Sequence, residues 1–186
     1  MNKINRLEIL QFLLLLVIAY LGYLWKGLPL AIIFVLLWLD RNIIIRLKYH
    51  SDFGIELMTL ASVLAGIIYG PFFGFFFGFI VWTFVGSVVE FISWMITPPV
   101  KPSWPPFIPS PESFINGIMG VIAGVVGSSI SLILLIAICS IIRSVLLFAR
   151  DQFVGWPPRF VYVLNIAFNL GLVIALNYYL TGLIEL

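Results

Sequence analysis

Two glutamates set in apolar surroundings, Glu56 and Glu90, carry the most chemical potential in this sequence. An ionisable group inside a membrane-spanning run is costly to keep there and marks a candidate site. Glu56 lies near the start of its run and reads as interfacial. Glu90 is followed by Phe91-Ile92-Ser93-Trp94 before any loop, and it is either interfacial as well or lines a cavity. Asn165 and Asn169 are four residues apart and so share one helix face. Asn116 stands early in its own apolar run. Asparagines between membrane helices either join helices, at about 1 kcal/mol or less each, or contact a solute. With Trp104, these four residues (Glu90, Asn116, Asn165 and Asn169) form the candidate solute-binding set. The chemistry they offer is hydrogen bonding and charge, not bond-making. The single histidine, His50, lies in a short polar link with no second ligand or nucleophile beside it, and the single cysteine, Cys139, sits in an apolar run. No metal-spaced His/Cys set, nucleophile elbow or phosphate loop occurs, so no catalytic residue, metal or cofactor is expected and the sequence points away from an enzyme.

The elements that must position these residues are membrane helices. Of 186 residues, 62% are hydrophobic and only 10% charged, against about 25% charged in soluble domains. The formal charge of +2 comes without a basic, aromatic-interleaved patch, so nucleic acid is not an expected partner. The expected partner is the lipid bilayer, and the expected location a cell membrane crossed several times. Lys3 and Arg6 followed by an apolar run imitate a signal peptide, but no small-residue cleavage pattern ends the run, so it reads as an uncleaved first helix.

The central stretch is Ala65–Gly78, A-G-I-I-Y-G-P-F-F-G-F-F-F-G, with glycines at 66, 70, 74 and 78. Apolar sequence runs from about 54 to 96, which as one helix would rise about 60 Å against a hydrocarbon core of about 30 Å. The tract must fold back, and Gly70-Pro71 is the place: Gly ends a helix and Pro starts one. Gly66, Gly70, Gly74 and Gly78, together with Gly120 and Gly124 further on, are expected to let helix backbones approach closely. The phenylalanines between 72 and 79 would then face lipid.

The expected spans are 7–25, 28–47, 53–70, 72–96, 113–127, 130–148 and 160–180, giving an all-α bundle of seven membrane segments in one domain. Asp40 pairs with Arg41 or a neighbouring helix, or else the second segment's cations snorkel to the interface. Segments four and five are separated by Thr97–Glu112, a stiff loop with seven prolines in sixteen residues. It is either a spacer or a cover over a cavity. If 113–149 were one long helix the count would fall to six, but residues 113–142 alone would rise about 45 Å and need a tilt beyond the usual range of about 0–40°. Seven spans put nine of the ten Lys and Arg residues on one side, leaving only Lys26 on the other, and so a cytoplasmic N-terminus.

The run Leu64–Gly78, with its Gly-Pro turn and glycines at four-residue spacing, resembles the substrate-binding S-components of energy-coupling-factor transporters. Phe114-Ile-Asn-Gly-Ile-Met-Gly120 is similar to their Gly-bearing fourth helix. The resemblance covers about thirty residues. It implies capture of a vitamin-like solute from outside and docking onto a transmembrane coupling subunit with two ATPases. It also wants the counterpart of loop 97–112 outside, whereas the charge pattern puts that loop in the cytoplasm. A second resemblance, to the rod-shape-determining membrane protein D family, rests on two helices preceding a Gly-rich third. It implies a non-catalytic scaffold whose small-residue faces bind partner helices.

Overall fold

The apolar runs become helices because nothing polar competes for their backbone, and glycine and proline decide where each one stops. The computed structural model describes residues 6–40, 55–96, 107–155 and 160–185. In chain order the helices are α1 (Arg6–Lys26), α2 (Leu28–Leu39), α3 (Met58–Tyr69), α4 (Pro71–Phe76), a π-helical turn (Phe77–Val81), α5 (Trp82–Ile96), α6 (Pro111–Val126), α7 (Leu132–Val154) and α8 (Val161–Ile184).

Two reversals use one device. Gly27 (φ 80, ψ −167) stands between α1 and α2, and Gly70 (φ 90, ψ 167) between α3 and α4. Both occupy a backbone region that is essentially restricted to glycine. In each case a proline follows in the first turn of the next helix, where its missing N–H costs nothing. The fold-back at Gly70 is complete: a Cβ on Gly74 would lie 2.7 Å from the Cα of Gly66, whereas eight residues of continuous helix would separate the pair by about 12 Å. Elsewhere polar caps set the boundaries. Ser110 and Ser131 accept from the backbone N–H of Ser113 and Leu134, at 3.1 and 3.4 Å, at the starts of α6 and α7. Gly155, left-handed at φ 77, closes α7.

A methyl group added at Gly70 would meet nothing within 4 Å, so the requirement for glycine there is conformational only. Gly70→Ala is expected to destabilise the protein by about 1–3 kcal/mol through backbone strain alone. Thermal unfolding in detergent measures this. A midpoint equal to the native one would mean that the turn relaxes freely.

Helix α3 is the axis of the bundle. Nine of its twelve residues, Met58 through Gly66, are buried, and it packs against α2, α4, α6, α7 and α8. Three helices meet there with almost no side chain between them. A Cβ on Gly66 would lie 2.1 Å from the Gly120 carbonyl oxygen, one on Gly120 2.4 Å from Gly74, and one on Gly124 2.4 Å from the Pro71 nitrogen. The π-helical turn continues this contact, since Gly78 sits against the backbone of Asn116 and Gly117. Such turns widen a helix by one residue and so re-aim the side chains beyond them. Around this seam lie Leu30, Ile33, Leu37, Met119, Leu135 and Ile136, all fully buried. The phenylalanines do not simply face lipid. Phe72 is exposed, but Phe77 is fully buried against Phe34, and Phe75 and Phe79 both meet Phe114 edge-on.

The expected count of seven membrane spans, or six, is overturned. Among the described residues three helical stretches are long and apolar enough to cross a membrane: Pro71–Val88, Leu132–Val154 and Val161–Ile184. The remaining apolar helices are shorter: Phe12–Lys26, Leu28–Leu39, Met58–Tyr69 and Pro111–Val126. The physical reason is plainest in α3. Twelve residues rise only about 18 Å, and its apolar character serves burial among other helices rather than contact with lipid. A run of that length is the signature of an interior helix. The nine-to-one division of cations depends on seven spans and loses its basis with them. The expected second span, 28–47, is helical from 28 to 39, and residues 41–47 lie outside the described ones. The chain is an all-α, multi-pass protein of the cell membrane.

Candidate functional site

Helix α7 carries its inward residues at helical spacing: Ile136, Cys139, Ser140, Arg143, Ser144, Leu147 and Asp151 are all buried. Arg143, inside the expected span 130–148, therefore points into the bundle. Its exposure is 2%. A buried guanidinium is tolerable only if its N–H groups are matched by charge and acceptors. Helix α6 and the segment just ahead of α3 supply them. Nη2 lies 2.6 Å from Oε2 of Glu56 and donates to Oε1 of Glu112 at 2.9 Å. Nε donates to Oδ1 of Asn116 at 2.9 Å.

Local structure explains the placement of both carboxylates. Glu56 precedes α3 and Glu112 stands in the first turn of α6. A helix N-terminus favours negative charge. Thr59, three residues on, donates its hydroxyl to Oε1 of Glu56 at 2.8 Å. Asn116 follows Glu112 by four residues and so shares its helix face. Glu56 is 2% exposed, but Glu112 is 31% exposed. The network therefore has a closed side and an open one.

A second charged group joins the end of α7 to the start of α8. Asp151, fully buried, accepts from Nε and Nη2 of Arg150 at 2.9 and 2.6 Å and from the Tyr162 hydroxyl. Arg150 also interacts electrostatically with Glu112. Asp40 accepts from the backbone N–H of Leu57 ahead of α3, and Arg41, one of its expected partners, lies outside the described residues.

No family model, curated protein or solved structure matches the chain. A polytopic helical membrane bundle fits both families that the sequence resembles and is specific to neither, so the functional reading rests on the side chains themselves.

The expected binding residues are distributed unevenly. Asn116 is in the network, 1% exposed, and its Nδ2 has no hydrogen-bond partner. Asn169 and Asn165 share a buried face of α8, where Nδ2 of Asn169 donates to the backbone oxygen and Oδ1 of Asn165 at 3.0 and 3.3 Å. Oδ1 of Asn169 is left without a partner. Ser144 donates to the Tyr162 carbonyl at 3.4 Å, which fixes the register of antiparallel α7 and α8. From that contact, Ser140, one turn earlier, stands level with the Asn165–Asn169 face. Oγ of Ser140 and Oγ of Ser62 on α3 are also buried and unpartnered. The polar side chains thus descend from the ion pair toward the middle of the bundle. Glu90 lies on α5, but its side chain is outside the described residues, as are Trp104 and His50. Cys139 is buried as a free thiol.

Sequence reading missed Arg143, Glu112 and the buried state of Glu56. The signal was present: Arg143 interrupts a run that stays apolar to Phe148, with serines on either side at 140 and 144. At the opposite end of α3 an open pocket of about 720 Å³ is lined by Tyr23, Lys26, Pro29, Tyr69 and Ile184 among others. There the Tyr69 hydroxyl donates to the Lys26 carbonyl at 3.1 Å.

Proposed function

We propose that the chain is a small-solute-binding membrane subunit of S-component type, acting by binding rather than catalysis. The observation that carries this reading is the set of buried, unpartnered polar atoms on α3, α6, α7 and α8: Nδ2 of Asn116, which is itself in the Arg143 network, Oδ1 of Asn169, and Oγ of Ser62 and Ser140. An unmatched buried polar group costs about 1–3 kcal/mol. Several of them on the facing surfaces of four packed helices suit a guest that offers both donors and acceptors. The glycine seam supports the same reading. It makes a rigid frame in which such a site can be held, and it is used up by contacts within the chain. A scaffold that recruits partners through its small-residue faces would need those faces free. In the transporter reading, the outward-facing apolar sides of α1 and α8 are left for lipid and for a coupling subunit with its ATPases. Phe12, Tyr20 and Leu24 on α1 and Val163, Ile174 and Tyr178 on α8 are all exposed.

The test is thermal unfolding of the full chain in lipid nanodiscs against a panel of vitamin-type solutes. One chemical class should raise the midpoint, by about 2.7 kcal/mol of stabilisation at a hundredfold excess over Kd. Asn116→Ala and Asn169→Ala should each abolish that shift while remaining folded. A panel without effect, together with purification free of any ATPase pair, would favour the scaffold.

A further inference from the structure

The ion-pair network is asymmetric in a way that suggests its ligand. Arg143 is held by one buried carboxylate and one accessible one. Glu56 is 2% exposed and fastened by Thr59, so it cannot leave without stranding a charge. Glu112 is 31% exposed and stands in the first helical turn after the Ser110 cap and Pro111. A carboxylate at such a position exchanges protein contacts for water or lipid headgroups at small cost. Arg143 and Asn116 remain in place when it does so, because they hold each other through the Nε–Oδ1 bond. What Glu112 vacates is a position on Nη2 of a buried arginine. The unpartnered Nδ2 of Asn116 lies on the same helix face one turn further in. Arg150, which interacts with Glu112, adds positive potential nearby. The position already receives a carboxylate oxygen, Oε1 of Glu112.

We infer that Glu112 is a built-in stand-in for the solute, and that the solute is a small carboxylate that takes its place on Arg143 and hydrogen-bonds to Nδ2 of Asn116. This rests on the solute-binding reading and narrows its substrate class. Exchange of one carboxylate for another leaves the charge around Arg143 unchanged, so the bundle need not unfold or lose a proton to admit it. Specificity against neutral solutes follows, because an uncharged amide cannot restore the pairing that Glu112 gives up.

Acetate, propionate and butyrate, each with its matching primary amide, are the probes, added to the full chain in nanodiscs and read by calorimetry and thermal unfolding. The carboxylates should bind and the amides should not. Glu112→Gln removes the internal competitor and should tighten carboxylate binding by at least about tenfold. Glu112→Asp, which keeps the charge, should stay close to the native affinity. Amides that bind as well as carboxylates overturn the inference, and so does a folded Glu112→Gln protein with no gain in carboxylate affinity. If either result comes with stabilisation by a neutral vitamin-type solute, the solute-binding reading stands without it. If no solute of either kind binds, both fall. The native protein's preference between acid and amide decides the matter even if a variant misfolds.

Discussion

Gly120→Ala is expected to be among the most damaging single methyl groups that can be added to this protein. Its Cβ would sit 2.4 Å from both the carbonyl carbon and the oxygen of Gly74, and 2.8 Å from the Gly74 Cα. Those neighbours are backbone and belong to a different helix, so no rotamer change relieves the overlap. The two helices must separate, and the same displacement opens the contacts of Gly66 with Gly120 and of Gly124 with Pro71. Overpacking that side-chain movement can absorb costs about 1–3 kcal/mol. A rigid seam belongs at or above the top of that range, which corresponds to roughly 6–12 °C in unfolding midpoint for a chain of this size. Gly74→Leu, with a larger group at the same seam, should be worse. Gly171→Ala and Gly182→Ala are the controls. Both sit in α8 with nothing within 4 Å and no unusual backbone angle, so helix propensity alone acts on them. They should leave stability unchanged or raise it by up to about 1 kcal/mol. If all four substitutions gave the same midpoint in detergent, the backbone contact between helices would not be what holds the bundle.

That seam was legible in the sequence because close approach of helices leaves only one residue type available. Glycine at 66, 70, 74 and 78, with proline at 71, states where the chain can turn and which faces can touch. What the sequence does not state is whether an apolar face touches lipid or protein. Helix α3 is as greasy as a membrane span, yet it is buried among other helices over most of its length. Hydropathy reads both environments alike, and the span count fails on that ambiguity. Polar residues show the same limit from the other side. Asn165 and Asn169 are recognisable as a pair because a spacing of four is enough to place them on one face. Arg143 is not, because its meaning depends on two carboxylates 87 and 31 residues away in the chain. Only the packing of α3 and α6 against α7 brings those three charges together.

Removing Arg143 alone should cost more than removing the ion pair whole. Arg143→Met leaves Glu56 in a site that is 2% exposed, still bonded to the neutral Thr59 hydroxyl but without the guanidinium that faces it. Loss of one member of a buried pair typically costs about 3–5 kcal/mol, chiefly because the other charge is stranded. Glu56→Gln should cost less, since Arg143 keeps Glu112 and Asn116. The double variant strands no charge at Glu56, and a methionine fills much of the space of the arginine stem. It should therefore be more stable than Arg143→Met alone, with a coupling energy in the range of about 0.5–3 kcal/mol found for residues in direct contact. Chemical or thermal unfolding of the four proteins in one detergent measures it. Strict additivity would mean that the two groups are not paired in the membrane, and the site would then lose its anchor. The double variant also separates stability from binding. If the network served only to join helices, a well-folded protein without it would still take up the solute. If Arg143 receives the solute's carboxylate, the same well-folded protein should bind none.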